Sequence, residues 1–192
     1  MSKTSGLSDA EIQELCHEPD ADTKEFILQQ FMYNIKDPRQ SLPFYTEVLG
    51  MRLFQKYEIP SRQRTAYFLG YGNASEIPSN DKDRTEWMLS CKVTIELTHK
   101  WGSENNNDVN DNNHEKGGFG HIGLMVPDVA AACARFDKLC VPYEKLPRDG
   151  RTKGVVYIKD PDGYCIEIFN AKDAAELTEE SNKSVIKLKD DA

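Results

Sequence analysis

No CxxC pair, no apolar run of membrane-spanning length and no basic patch occurs in this chain of 192 residues. Each absence removes a class of function. The five cysteines (Cys16, Cys91, Cys133, Cys140 and Cys165) are scattered and odd in number, which argues against a disulfide framework or a thiolate zinc site. They read as reduced thiols of a cytosolic protein. The opening MSKTSGLSDAEIQELC holds no apolar core of signal-peptide length, so neither membrane nor export is expected. A formal net charge of −8 offers nothing to neutralise phosphates, and nucleic acid is not an expected partner.

The residues that are present describe an ordinary folded protein, with 39% hydrophobic and 29% charged side chains. The length suits one good-sized domain or two small packed modules. Ser8, with Glu11 three residues on, predicts a capping box and a short helix. After the break at HEPDAD comes a strand-like run, FILQQFMYNI. A helix is expected from Pro38 to Gly50, with Leu42, Tyr45, Val48 and Leu49 on one side and Gly50 as its stop. Three β-like runs follow, MRLFQKYEI, TAYFLGY and KVTIELTH, with GNASEIPSNDKDR read as a polar loop between the last two. The stretch SENNNDVNDNNHEK suits a surface loop.

A second series then begins. It runs through the strand HIGLMV, the helix DVAAACARFDKLC, and strands around Tyr143, at VVYI and at YCIEIF, with Asp160 to Gly163 as a turn. The two series match in kind and order. Asp37 lies seven residues after Gln30, and Asp128 lies seven after His121. A weak internal repeat of this sort predicts an α+β fold of two tandem βαβββ modules; two unrelated α+β halves are the alternative. The expected division is an N-terminal helical arm (1–22), a first module (23–102), the Asn-rich loop (103–116), a second module (117–170) and a charged tail (171–192), helical or disordered.

In each half one polar residue opens the first strand and one sits inside the last: Gln30 and Glu96, then His121 and Glu167. Glu96 is flanked by Ile95 and Leu97, and Glu167 by Ile166 and Ile168. Side chains alternate across a strand, so each carboxylate faces away from its apolar neighbours. A carboxylate on a partly buried face must be paired or bind a metal. Three oxygens and one imidazole nitrogen suit one divalent ion per site, zinc first, with manganese, nickel or magnesium as alternatives. Singly, such a His is more often a structural hydrogen-bonder and such a Glu more often salt-bridged. The signal lies in their repeat-related positions.

The segments LQQFMYNIKDPRQSLPFYTEVLGM, TIELTHKWG, GFGHIGLMVPDV and KDPDGYCIEI resemble those of eukaryotic glyoxalase I, of the vicinal-oxygen-chelate superfamily, from about Thr23 to Asn170. The resemblance implies a homodimer in which Gln30 and Glu96 of one subunit meet His121 and Glu167 of the other around the metal. It also makes Glu167, with Glu96, the catalytic carboxylates, Glu167 being the proton-abstracting base. Such enzymes remove a proton next to a carbonyl, and a Lewis-acid metal stabilises the developing charge.

The resemblance breaks at the glutathione anchors. The family pattern has Arg where this chain has Asn34, Asn where it has Lys100, and Arg where it has Gly117, while the family Lys survives as Lys145. On the apolar side Arg64 replaces Phe and Ala66 replaces Leu, and in the loop RTKG Thr152 replaces Met beside Lys153. A charge-assisted Arg–carboxylate contact is worth about 1.5–3 kcal/mol, so losing two weakens glutathione binding by roughly two to four orders of magnitude. Lys does not reproduce the Arg fork. The pattern resembles the glutathione-independent variants of plants, such as the gossypol-pathway aromatase, acting on a hydroxy-ketone terpenoid. An ordinary lactoylglutathione lyase and a non-enzymatic binding protein of the same fold are the alternatives; an intact Glu167 disfavours the last.

Overall fold

Two four-stranded sheets with one topology organise the chain, which is seen in a computed structural model describing residues 6–105, 119–145, 154–176 and 178–179. The first sheet contains β1 (Gln30–Ile35), β2 (Arg52–Ile59), β3 (Arg64–Gly70) and β4 (Thr94–Lys100), in the order β1-β4-β3-β2. The second contains β5 (Ile122–Met125), β6 (Tyr143–Lys145), β7 (Val155–Lys159) and β8 (Cys165–Phe169), in the order β5-β8-β7-β6. In each sheet the outer first strand runs parallel to the last, and the other neighbours are antiparallel. The tandem βαβββ fold expected from the repeat is the fold observed.

Local sequence explains the helices. Helix α1 (Asp9–Leu15) begins with the capping box of Ser8 and Glu11. Helix α2 (Pro38–Pro43) takes Asp37 as its cap, and α4 (Val129–Lys138) takes Asp128, the repeat-related residue. After α2 the chain widens into a π-turn over Phe44–Val48. Pro43 lacks the N–H that would continue the ladder and crowds the preceding turn, which favours this bulge. The segment stops at Gly50, at φ 76°.

The expected polar loop between β3 and β4 needs correction. Its end and the residues after it form α3 (Asp81–Ser90). Asn80 accepts from the backbone N–H groups of Lys82 and Asp83, and Met88 is fully buried. The polar first turn hides the helix in the sequence, and burial of its last turn sustains it.

One core spans both sheets, drawing Tyr33, Ile35, Leu69, Ile95 and Leu97 from the first and Val156, Ile158, Ile166 and Ile168 from the second. A smaller cluster, Phe54, Ala66, Phe68 and Met88 with Tyr57 and Trp87 against it, lies on the other face of the first sheet, under α3. Among the described residues no helix is long and apolar enough to cross a membrane.

Candidate active site

Strand alternation puts the core residues Ile95 and Leu97 on one face of β4 and Glu96 on the other. Gln30 opens β1, in register with Thr94, so its side chain shares the face of Glu96. The Gln30 amide donates from Nε2 to Glu96 Oε2 at 2.6 Å, and Thr98 Oγ1 donates to Glu96 Oε1 at 3.0 Å.

The second sheet repeats the arrangement. His121 immediately precedes β5, and Glu167 lies on β8 with Gly123 directly opposite. His121 Nε2 is 3.2 Å from Glu167 Oε2, with His121 more exposed than the carboxylate. Tyr157 donates its hydroxyl to Glu167 Oε1 at 2.5 Å. That hydrogen bond is the chief reason the Tyr157 phenol is pushed up to about 12, with burial second, so it remains a donor through neutral pH. A Cβ at Gly123 would meet the Phe169 ring at 3.1 Å and lie 3.9 Å from Glu167 Oε2. The missing side chain makes room for the Phe169 ring beside the carboxylate.

Among the described residues no group of three or more His, Cys, Asp or Glu side chains could hold a metal ion. A single chain thus presents two pairs, Gln30 with Glu96 and His121 with Glu167, rather than one cluster. Each pair fits a share of a metal site. The donor atoms approach to 2.6 Å in one pair and 3.2 Å in the other, close enough for each pair to bind one ion together once the Gln30 amide turns to present its oxygen. Both pairs sit at sheet edges, since β1 and β5 are outer strands.

The other candidate residues fall unevenly. Asn34 is exposed on the face of Gln30, two pleats along β1. Its row continues through Thr98 to Ala66, which is buried. In the next row Arg64 and Lys100 stand directly opposite each other, both exposed. Lys145 ends β6 in register with Tyr157. Gly117, Thr152 and Lys153, with most of the Asn-rich loop, lie outside the described residues. Sequence reasoning missed Thr98, Tyr157, Gly123 and Phe68, which lies directly opposite Glu96. Thr98 was within reach of it, being two residues from Glu96 on one strand.

The chain matches the Glyoxalase/Bleomycin resistance protein/Dioxygenase superfamily over residues 27–168. It is 42% identical over 158 residues to a lactoylglutathione lyase of Pseudomonas aeruginosa, covering 82% of this chain and 89% of the relative. A lactoylglutathione lyase of Pseudomonas putida is 41% identical over 152 residues, covering 78% and 88%. Among solved structures, the trypanothione-dependent glyoxalase I of Leishmania major superposes with a TM-score of 0.57 at 27% identity, covering 88% of this chain and all of that one. With this match along most of its length and the repeated pairs of ligand-type side chains, the chain belongs to the glyoxalase I family of lyases.

Proposed function

We propose that this glyoxalase-type lyase works without glutathione, abstracting a proton next to the carbonyl of a hydroxy-ketone metabolite of the terpenoid kind. The observation that carries the reading is the position of the altered residues. Asn34, Ala66, Arg64 and Lys100 share the sheet face of Gln30 and Glu96, in the two rows beyond Glu96. That these four departures share one face with the ligand-type pair supports a changed pocket over drift scattered through the chain.

Enzymes of this family use a divalent metal, and Gln30 and Glu96 of one subunit with His121 and Glu167 of another would hold it. When bound, the ion supplies Lewis-acid stabilisation of charge developing on the substrate oxygens. Glu167 takes the proton from the carbon beside the carbonyl and returns it to a neighbouring carbon, or passes it to the departing hydroxyl, which leaves as water. Phe68, buried and directly opposite Glu96, supplies an apolar neighbour on that face. The dimer is supported by the edge positions of both pairs and by exposed apolar groups at the β1 edge, among them Leu28, Phe31, Met32 and Val93.

An ordinary lactoylglutathione lyase is the second reading. The names of the Pseudomonas relatives favour it, and so does the opposed pair Arg64 and Lys100. Like charges directly across a sheet repel, and a carboxylate between them relieves the repulsion. Calorimetric titration with S-hexylglutathione separates the readings. The expected result is millimolar binding or none, with binding recovered in the triple variant Asn34→Arg, Lys100→Asn, Gly117→Arg. Micromolar binding by the unmodified chain, with turnover of the methylglyoxal–glutathione hemithioacetal and none of a cyclic hydroxy-ketone, returns it to the ordinary enzymes.

A further inference from the structure

The two sheets place a carboxylate at the same point but do not surround it alike. Through Glu96 the cross-strand row runs Met32, Glu96, Phe68, Gln55. Through Glu167 it runs Gly123, Glu167, Tyr157, Lys145. Phe68 and Tyr157 are thus equivalent, each directly opposite its carboxylate on the third strand of its module. They differ by one hydroxyl, and that hydroxyl is bonded to Glu167 Oε1 at 2.5 Å. On the other side the two carboxylates also differ: Glu96 has the Met32 side chain, whereas Glu167 has Gly123, beside which the Phe169 ring packs. Glu96 is held by an amide and by a threonine of its own strand. Glu167 is held from the neighbouring strand by one rigid phenol.

We propose that Tyr157 is the positioning residue of Glu167, tethering Oε1 so that Oε2 alone is presented beside His121. This rests on the reading of Glu167 as the base. A carboxylate that collects a proton and gives it back must keep its direction while its charge changes. Fixing one oxygen with a donor on a rigid ring achieves that, and leaves the other oxygen free to reach the substrate carbon. The unequal surroundings also separate the roles of the two acids. Glu96 is braced as a fixed ligand, and Glu167 is hinged.

Tyr157→Phe removes the tether and keeps the ring. It is compared with the parent dimer and with Glu167→Gln, using Zn²⁺ alone and then the substrate that the parent turns over. Competition with a chromophoric chelator is expected to show Zn²⁺ bound about tenfold more weakly by the Phe variant. At saturating Zn²⁺, kcat is expected to fall by about 10- to 100-fold while KM stays within about twofold. An unchanged kcat overturns the proposal. So does unchanged Zn²⁺ affinity, or a loss carried wholly in KM, which would make Tyr157 a substrate contact. Full turnover by Glu167→Gln instead removes the base assignment itself, so the two failures are told apart.

Discussion

Glu96 and Glu167 share their neighbours, an isoleucine before and an aliphatic residue after, and from those neighbours alone their facing was legible. A strand with two faces leaves a residue no third choice, so alternation fixed which side each acid occupies. Apart from Thr98, their hydrogen-bond partners were harder to read, because Gln30 and Tyr157 come from other strands and depend on register. Even so, the tight turn at Asp160 to Gly163 sets that register, and Tyr157 and Glu167 are equally far from its centre at position 162. Glu167→Gln is expected to reduce turnover by about a hundredfold or more while the protein stays folded, since an amide cannot accept the proton. Glu96→Gln should weaken metal binding and cut activity less. Steady-state rates with metal analysis check both, and equal, full activity in the two variants places the chemistry elsewhere. Asp160, outside the site, offers a separate test. Burial raises its carboxyl to about 6, against the lowering effect of the Tyr45 hydroxyl and the backbone N–H groups it accepts. A carboxyl raised in the folded state favours folding below its unfolded value of about 4 and loses that contribution as pH climbs through about 6. The stability of the parent relative to Asp160→Asn should therefore fall between about pH 4 and 6.5, as read by urea denaturation. A constant difference would contradict the assignment.

Elements with strong periodicity were legible, and those made by tertiary contact were not. Helix α4 was clear because Asp128 caps an amphipathic run ending in basic residues. Helix α3 was not, because its first turn is acidic and its apolar residues come late. Met88 and Trp87 become meaningful only when Phe54 and Phe68 of the sheet close on them. The π-turn at Phe44–Val48 was likewise read as plain helix, since the same residues sit on one side in either winding. Met88→Ala should cost about 2–5 kcal/mol, as a fully buried methionine replaced by a cavity. Chemical denaturation measures this, and a change below about 1 kcal/mol would mean that α3 is only lightly attached to the sheet.

At the scale of the molecule, the repeat was legible because duplicated sheets keep their spacing of strands and caps. How the halves meet was not, because that depends on side chains far apart in sequence. If each site draws Gln30 and Glu96 from one subunit and His121 and Glu167 from the other, two inactive chains can rescue one another. A mixed dimer of Glu96→Ala and Glu167→Ala chains contains one site with every ligand intact and one with two lesions. Coexpression is expected to restore up to half of the parental activity per mixed dimer, with light scattering reporting the dimer mass. No rescue, or an active monomer, rejects the shared site.

The turn that closes the second sheet also bears on how the chain holds together. Asp162 accepts the Lys36 backbone N–H and the Ser41 hydroxyl, each at 2.7 Å, and Asp160 accepts the buried Tyr45 hydroxyl at 2.8 Å. Arg135 reaches back to the carbonyl oxygens of Glu47 and Val48. The start of α2 is thus fastened by residues more than a hundred positions downstream. Removing them would strand buried polar groups at about 1–3 kcal/mol each and expose half of a common core. Ancestry by duplication has accordingly left no severable half: the repeat survives as geometry, while cooperativity belongs to the undivided chain.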